Sequence, residues 1–128
     1  MITVKPFKQD TRINYTVADG LPSANILSAA FDKSGKAWIG TDKGAAVFEK
    51  GRFVAKRAFK GPVQLIYRDN AGRLWIACGE KLSTADGEYE YTFTDSVVAM
   101  DEDSVGNLRI ITKKELFTFK SGEFKKFR

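Results

Sequence analysis

A unit of about 35 residues occurs three times along this 128-residue chain and limits the possible fold more than any other feature. Each copy contains Asp-x-x-Gly, then a short apolar run, and later a glycine two residues before an aromatic residue. The first glycines of the copies, Gly35, Gly72 and Gly106, are 37 and 34 residues apart. A period of this length predicts a repeat architecture in which each copy is one supersecondary unit.

Each copy is predicted to be a four-stranded antiparallel meander. Short runs rich in Val, Ile, Phe, Tyr and Thr are separated by Gly and Asp, without a clean helical period. Segment 23–30 could instead begin a helix capped by Ser23, but its alignment with β-rich segments of the later copies favours a strand. The predicted strands are 26–31, 36–41, 45–49 and 52–58, then 63–68, 73–77, 81–85 and 88–93, then 97–102, 107–112, 115–119 and 123–127.

The residues shared by the copies are assigned structural roles. Asp at the first position of a tight turn can accept a hydrogen bond from the backbone two residues on, and Gly at the fourth closes the turn. The second strand of each copy has sheets on both sides, which predicts core positions. Arg109 takes the place of tryptophan in the third copy, so this copy is expected to pack differently or face solvent. The turn residues are Asp32, Gly35, Asp69, Gly72, Asp103 and Gly106, and the core residues are Trp38, Ile39, Trp75, Ile76 and Ile110.

The first copy has a specific local sequence. Residues 19–26 read Asp-Gly-Leu-Pro-Ser-Ala-Asn-Ile, and residues 31–41 read Phe-Asp-Lys-Ser-Gly-Lys-Ala-Trp-Ile-Gly-Thr. Together they closely resemble the two-component regulator propeller repeat; the second copy keeps only part of the pattern, and the third lacks the tryptophan. The resemblance covers about residues 11–128. It implies an all-β fold of propeller blades, found mostly in the extracytoplasmic sensing part of bacterial hybrid two-component receptors, where the ligand is often an oligosaccharide.

The chain is therefore expected to be a single domain, 1–128, of three propeller blades. The blades span about 11–58, 59–93 and 94–128, and the first includes an N-terminal outer strand at about 11–17. Propellers close with about four to eight blades, so a homodimer with six blades is favoured. Alternatively, the chain is a piece of a longer propeller whose exposed edges would drive association. Segments 12–17 and 123–127 would compete for the same outer position in a closed ring.

A ligand is expected at one face of the propeller. The loop into the innermost strand and the loop joining the second and third strands share this face. Their polar, mixed-charge side chains suit a polyhydroxylated or anionic ligand such as a carbohydrate, although ordinary turn roles are the alternative. The candidate binding residues are Asp19, Ser23, Asn25, Thr41, Asp42, Lys43, Glu80, Lys81, Asp95, Ser96, Lys113 and Lys114.

Catalysis is not expected. The chain has no histidine and one cysteine, so nucleophile–base pairs and zinc sites lack their commonest members. The three repeated aspartates lie on separate hairpins. No catalytic residue, metal site or cofactor is predicted. The net charge is +5, but without a run of like charges, so nucleic-acid binding is disfavoured.

Two functions are consistent with these observations. The first is a non-enzymatic ligand-binding or sensing module in signal transduction, and the alternative is a structural or protein-interaction scaffold that self-assembles into a ring. The chain lacks the kinase and receiver sequences that signalling requires. Neither a signal peptide nor an apolar stretch of about 20 residues is recognisable. The compartment is not predicted, except that it would be periplasmic if the chain derives from a sensor receptor.

Overall fold

The structure, a computed structural model, describes residues 20–126, which form twelve β-strands and no helix. Four consecutive strands make each blade. Blade 1 contains β1 (Ile26–Phe31), β2 (Ala37–Thr41), β3 (Gly44–Glu49) and β4 (Arg52–Lys56); blade 2 contains β5 (Val63–Arg68), β6 (Leu74–Cys78), β7 (Lys81–Thr84) and β8 (Glu90–Thr92); blade 3 contains β9 (Val97–Glu102), β10 (Leu108–Thr112), β11 (Leu116–Lys120) and β12 (Glu123–Lys126).

Each blade is an antiparallel sheet whose strands follow chain order. The first strands of adjacent blades contact each other, β1 with β5 and β5 with β9. Side chains link these strands: the Ser28 hydroxyl donates to the carbonyl of Val63 at 2.9 Å, and the Gln64 amide donates to the carbonyl of Val97 at 2.9 Å. The blades therefore stack face to face around their first strands. The predicted all-β fold of three propeller blades is confirmed.

The interface between blades 2 and 3 is an aromatic core. Trp75 is fully buried, and it stacks on Tyr89 with 6.0 Å between ring centroids and meets Phe119 edge-on at 5.1 Å. Val97 and Ile110 of blade 3 are fully buried in the same cluster. Because large rings at such separations add to the free energy of apolar burial, this interface is expected to be strong.

Blades 1 and 2 pack through a smaller core that includes Trp38 of blade 1 and Ile66 and Ile76 of blade 2. The backbones come unusually close here. A Cβ atom added at Gly40 would lie 2.5 Å from the carbonyl oxygen of Val63. The glycine in the Trp-Ile-Gly-Thr segment therefore allows blade 1 to approach blade 2.

The hairpin between β7 and β8 changes the direction of one aromatic side chain. Thr84 pairs with Tyr89, which leaves four residues, 85–88, in the loop, whereas the loop of blade 3 has two, 121–122. Because successive side chains of a strand face opposite sides, Tyr89 faces blade 3, while Phe124, its match in the repeat, faces blade 2. Because residues 85–88 form the loop, β8 begins later than the predicted strand 88–93 and is shorter.

Ile39 is only half-buried, in contrast to its predicted core position. The equivalent Ile76 and Ile110 are fully buried because each faces the preceding blade. Ile39 alternates with Trp38 along β2 and so faces the side of blade 1 away from blade 2.

At the other end of the stack, Arg109 lies on the face of blade 3 that points away from blade 2. Its guanidinium donates to both carboxylate oxygens of Asp101, at 2.8 and 2.9 Å. The third copy thus packs differently, as expected. The predicted outer strand 11–17 and residue 127 lie outside the described residues, and the blade boundaries stay predictions.

Candidate functional site

The loops predicted to bind a ligand meet in pairs at one end of the blades, here called the loop face. In blade 1 the Asp42 N–H donates to the carbonyl of Asn25 at 3.2 Å, and in blade 3 the Lys113 N–H donates to the carbonyl of Ser96 at 3.2 Å. The loop into the first strand and the loop between the second and third strands are therefore brought together as predicted. Asp19 lies outside the described residues.

Blade 1 contributes a small polar cluster to the loop face. The Asn25 side chain donates to Asp42 at 3.3 Å, and the Asn25 N–H donates to the Ser23 hydroxyl at 3.1 Å. Hydrogen bonding by Ser23, and next by Asn25, lowers the pKa of Asp42. Asn25 is exposed and presents its amide to solvent, whereas Asp42 is only partly exposed and its Oδ1 atom is buried.

Thr41 does not contribute to a binding surface, in contrast to the prediction. It is fully buried, its hydroxyl donates to the carbonyl of Gly44 at 2.8 Å, and the same oxygen accepts the Lys43 N–H at 3.1 Å. Both contacts stay inside the turn. Thr41 therefore shapes the loop, and Ser23, which is also nearly buried, can reach a ligand only at its edge.

The remaining candidates are spread along the loop face. Lys43, Glu80, Lys113 and Lys114 are exposed, and Asp95 and Ser96 are half-buried. Lys81 instead forms an ion pair of 3.2 Å with Glu90 of β8. Of the candidate binding residues within residues 20–126, Lys81 alone lines one of three clefts between the blades.

Clefts run between neighbouring blades within residues 20–126, and three of them are lined by residues named above. The largest, about 390 Å³, lies between blades 2 and 3 at the end that carries the Asp-x-x-Gly turns, opposite the loop face. A cleft of about 300 Å³ lies between blades 1 and 2 at the same end and includes Asp32 and Asp86. The third, about 270 Å³, runs along the outer side of these two blades and includes Trp38 and Lys81.

Arg73 lies at the edge of the aromatic core and lines the largest cleft. Its guanidinium carbon is 5.7 Å from the ring centroid of Trp75, 5.6 Å from that of Tyr89 and 5.5 Å from that of Phe119, distances at which a cation is attracted to the ring faces. Its Nε donates to Asp69 at 3.0 Å. Sequence reasoning missed Arg73, and the only local signal was an arginine where the other copies have lysine and asparagine.

The repeated aspartates do more than close turns. Asp69 is almost fully buried and accepts the indole N–H of Trp75 at 2.9 Å, and Asp32 accepts that of Trp38 at 2.9 Å. Burial favours the neutral form of Asp32, but hydrogen bonds from Ser34, Trp38 and the backbone outweigh this and lower its pKa to about 2. Asp103 has no tryptophan partner and accepts the Asn107 amide at 3.2 Å.

Two further findings concern residues 20–126. They contain no group of three or more His, Cys, Asp or Glu side chains placed to hold a metal ion. Within the same range, no helix has the length and apolar character needed to cross a membrane.

The first repeat of the chain is similar to a known family. Residues 20–43 match the two-component regulator propeller family. This segment is similar to the two-component regulator propeller repeat. The resemblance inferred from the sequence is confirmed. No curated protein matches the chain.

Solved structures share the blade arrangement of this chain. The extracellular domain of the hybrid two-component system protein BT3049 from B. thetaiotaomicron has a TM-score of 0.74 at 23% identity, over 88% of this chain and 18% of that chain. The extracellular domain of BT4673 from the same organism, a one-component system protein, has a TM-score of 0.73 at 19% identity, over 89% of this chain and 18% of that chain. Virginiamycin B lyase from Staphylococcus aureus has a TM-score of 0.59 at 14% identity, over 81% of this chain and 41% of that chain.

At these identities the likeness extends to the fold alone. The chain spans about a fifth of the length of the two B. thetaiotaomicron domains.

Proposed function

We propose that the chain is a non-enzymatic ligand-binding module of a sensor propeller, with an oligosaccharide as the ligand class to test first. The observation that carries the proposal is the two-component regulator propeller repeat at residues 20–43, set in blades that resemble extracellular domains of two-component and one-component proteins. The loop face supports it, because polar side chains such as Asn25, Asp42 and Lys43 are presented there on a rigid scaffold.

The proposal is tested by thermal unfolding of the chain with a panel of neutral and acidic oligosaccharides. A ligand that binds the folded state raises the melting temperature by an amount that grows with the logarithm of its excess over the dissociation constant. Asn25→Ala removes a side chain from the loop face and should reduce the rise. Asn70→Ala is the matched control, because Asn70 is an exposed asparagine at the opposite end of the blades, and its side chain has no hydrogen bond within residues 20–126.

The outcomes separate three cases. A rise that Asn25→Ala reduces and Asn70→Ala leaves unchanged supports binding at the loop face. An equal rise in both variants supports ligand binding but places it elsewhere on the blades. The absence of a rise across the panel contradicts the ligand-binding proposal.

A self-assembling scaffold is the second candidate, and exposed apolar residues on the two end faces favour it. Ile26, which matches the buried Val63, is 51% exposed on blade 1, and Ile111 is 37% exposed on blade 3. In blade 2 the corresponding surfaces are covered by neighbouring blades. Because three blades are fewer than the four to eight, roughly, that close a propeller, a second copy would cover these faces and make six blades.

A further inference from the structure

The cleft between blades 2 and 3 has the size of a small-molecule site. Its volume of about 390 Å³ falls within the range of roughly 300–1,000 Å³ that is usual for ligand pockets. Tyr89 and Phe119 give it an aromatic wall. Its charged groups are two cations and two carboxylates, namely Arg73, Lys120, Asp69 and Glu102. It lies at the opposite end of the blades from the loop face.

The carboxylates of this cleft already have protein donors. Asp69 accepts four hydrogen bonds of 2.9 to 3.0 Å: two from backbone N–H groups, one from Arg73 Nε and one from the Trp75 indole. Glu102 accepts the Tyr67 hydroxyl at 2.9 Å and the Asn70 N–H at 3.1 Å. Acceptor capacity that could hold the hydroxyl groups of a ligand is therefore largely used.

The cations of the cleft, in contrast, keep donors available. Arg73 donates through Nε, and within residues 20–126 its two terminal Nη atoms have no hydrogen-bond acceptor. Asp86 accepts the Glu88 N–H at 2.9 Å, and this hydrogen bond is the main cause of its lowered pKa, to which the charge of Arg73 adds only a little. Lys120 is exposed and has no ion pair with any side chain of the described range. The free donors are thus on the two cations, while the charges of the lining balance, because Asp69 and Glu102 oppose Arg73 and Lys120.

Arg73 is also held in place before any ligand arrives. Its ion pair with Asp69 and its position over three aromatic rings fix the plane of the guanidinium. A fixed guanidinium loses little conformational freedom when it binds a planar, two-oxygen anion. The equivalent residues of the other blades differ: Lys36 reaches Glu49 at 3.9 Å, and the Asn107 amide donates to Asp103.

We propose that this cleft binds an organic carboxylate. The two Nη atoms of Arg73 are the bidentate partner of the carboxylate, Lys120 adds a positive charge at the rim of the cleft, and the edge of Tyr89 packs against the carbon skeleton of the ligand. The carboxylate could belong to a uronic acid residue of a sugar or to a simple aliphatic acid. The inference rests on the ligand-binding role proposed above, but it names a different end of the blades.

The test is titration of the full chain with three probes. Binding is monitored by the NMR chemical shifts of backbone amide N–H and arginine guanidinium N–H groups. Digalacturonate and succinate carry carboxylates on different skeletons, and cellobiose is a neutral disaccharide. We expect shifts near Arg73 with one or both acids and none there with cellobiose. Binding by digalacturonate alone identifies a uronate site, and binding by both acids identifies a general carboxylate site.

Three variants locate the site. Arg73→Gln should weaken binding of the acid by about tenfold or more, because a charged bidentate contact is lost. Lys120→Ala should weaken it by about threefold without loss of stability, since Lys120 is exposed. Arg109→Gln is the matched control: this arginine also pairs with an aspartate but lies on the outer face of blade 3, and binding should be unchanged.

Three results would overturn the carboxylate site: no binding of either acid at millimolar concentration, equal binding of cellobiose in the cleft, or unchanged affinity in both Arg73→Gln and Lys120→Ala. If Arg73→Gln is not folded by circular dichroism, Lys120→Ala decides the question. The thermal panel with Asn25→Ala judges the ligand-binding function separately, because it includes ligands without carboxylates and reports on the other end of the blades.

Discussion

The indole nitrogen of Trp75 donates a hydrogen bond of 2.9 Å to the carboxylate of Asp69, six residues earlier in the chain. The same contact, also 2.9 Å, joins Trp38 to Asp32. Each aspartate thus closes its turn and also fixes the tryptophan that packs against the following blade. In the third repeat Arg109 replaces the tryptophan and pairs with Asp101, which is not the turn aspartate. This repeat therefore lacks the hydrogen bond between the turn and a packed ring, and no further blade follows it within residues 20–126.

Replacement of Asp69 by alanine should lower the free energy of unfolding by about 3 to 5 kcal/mol, because it leaves the guanidinium of Arg73 and the indole of Trp75 without their buried acceptor. The matched change Asp103→Ala should cost clearly less, since its partners are turn N–H groups and one amide. Urea unfolding followed by circular dichroism measures both. Equal losses in the two variants would contradict the role given to Asp69.

Replacement of Trp75 by alanine should cost about 3 to 5 kcal/mol, because a fully buried aromatic side chain leaves a cavity between blades 2 and 3. Trp38→Ala should fall in the same range, roughly, since Trp38 is only 7% exposed. Arg109→Ala, at the matching position of blade 3, should change the stability little because its ion pair is exposed. A loss for Trp75→Ala as small as that for Arg109→Ala would show that blades 2 and 3 do not pack through this ring.

Acid should destabilise the fold in part through Asp32. Burial raises its pKa, but the stronger combined effect of the Ser34 hydroxyl, the Trp38 indole and backbone N–H groups lowers it from 3.8 to about 2. Because the pKa is lower in the folded state, the ionised carboxylate stabilises the fold above about pH 4, and this contribution is lost as the pH falls towards 2. Unfolding free energies of the wild type and Asp32→Asn, measured from pH 7 to pH 2, should converge at low pH. Parallel curves for the two proteins would argue against a lowered pKa.

Self-association should depend on the outer face of blade 3. Sedimentation of the wild type is expected to give twice the 14.3 kDa mass of one chain. Ile111→Lys places a charge on the same face as Arg109 and should yield monomer. Val105→Lys is the control, because Val105 is an apolar residue, 79% exposed, in the turn between β9 and β10. A dimer that persists in Ile111→Lys would show that another surface holds the copies together.

Much of the fold could be predicted from the sequence because the signals are local. The Asp-x-x-Gly turns and the short β-rich runs specify hairpins by themselves, and β1, β5 and β9 begin and end at the residues expected. The loop face was also predictable, since loops alternate between the two ends of a meander. What could not be predicted is which loop side chains stay exposed. Thr41 has the sequence position of a binding residue, but its hydroxyl is used inside the turn.

The repeat by itself determined that the chain forms blades, how many strands each has, and where the turns lie, because period and turn chemistry act over a few residues. Only the tertiary structure decided which residues form the cleft between blades 2 and 3. Two extra residues in the hairpin at 85–88 turn Tyr89 towards Trp75, and Arg73 is then held between Asp69 and three rings from two blades. Such an environment depends on the face to which each strand directs its side chains and on the neighbour that this face meets, and neither is encoded in any single copy of the repeat.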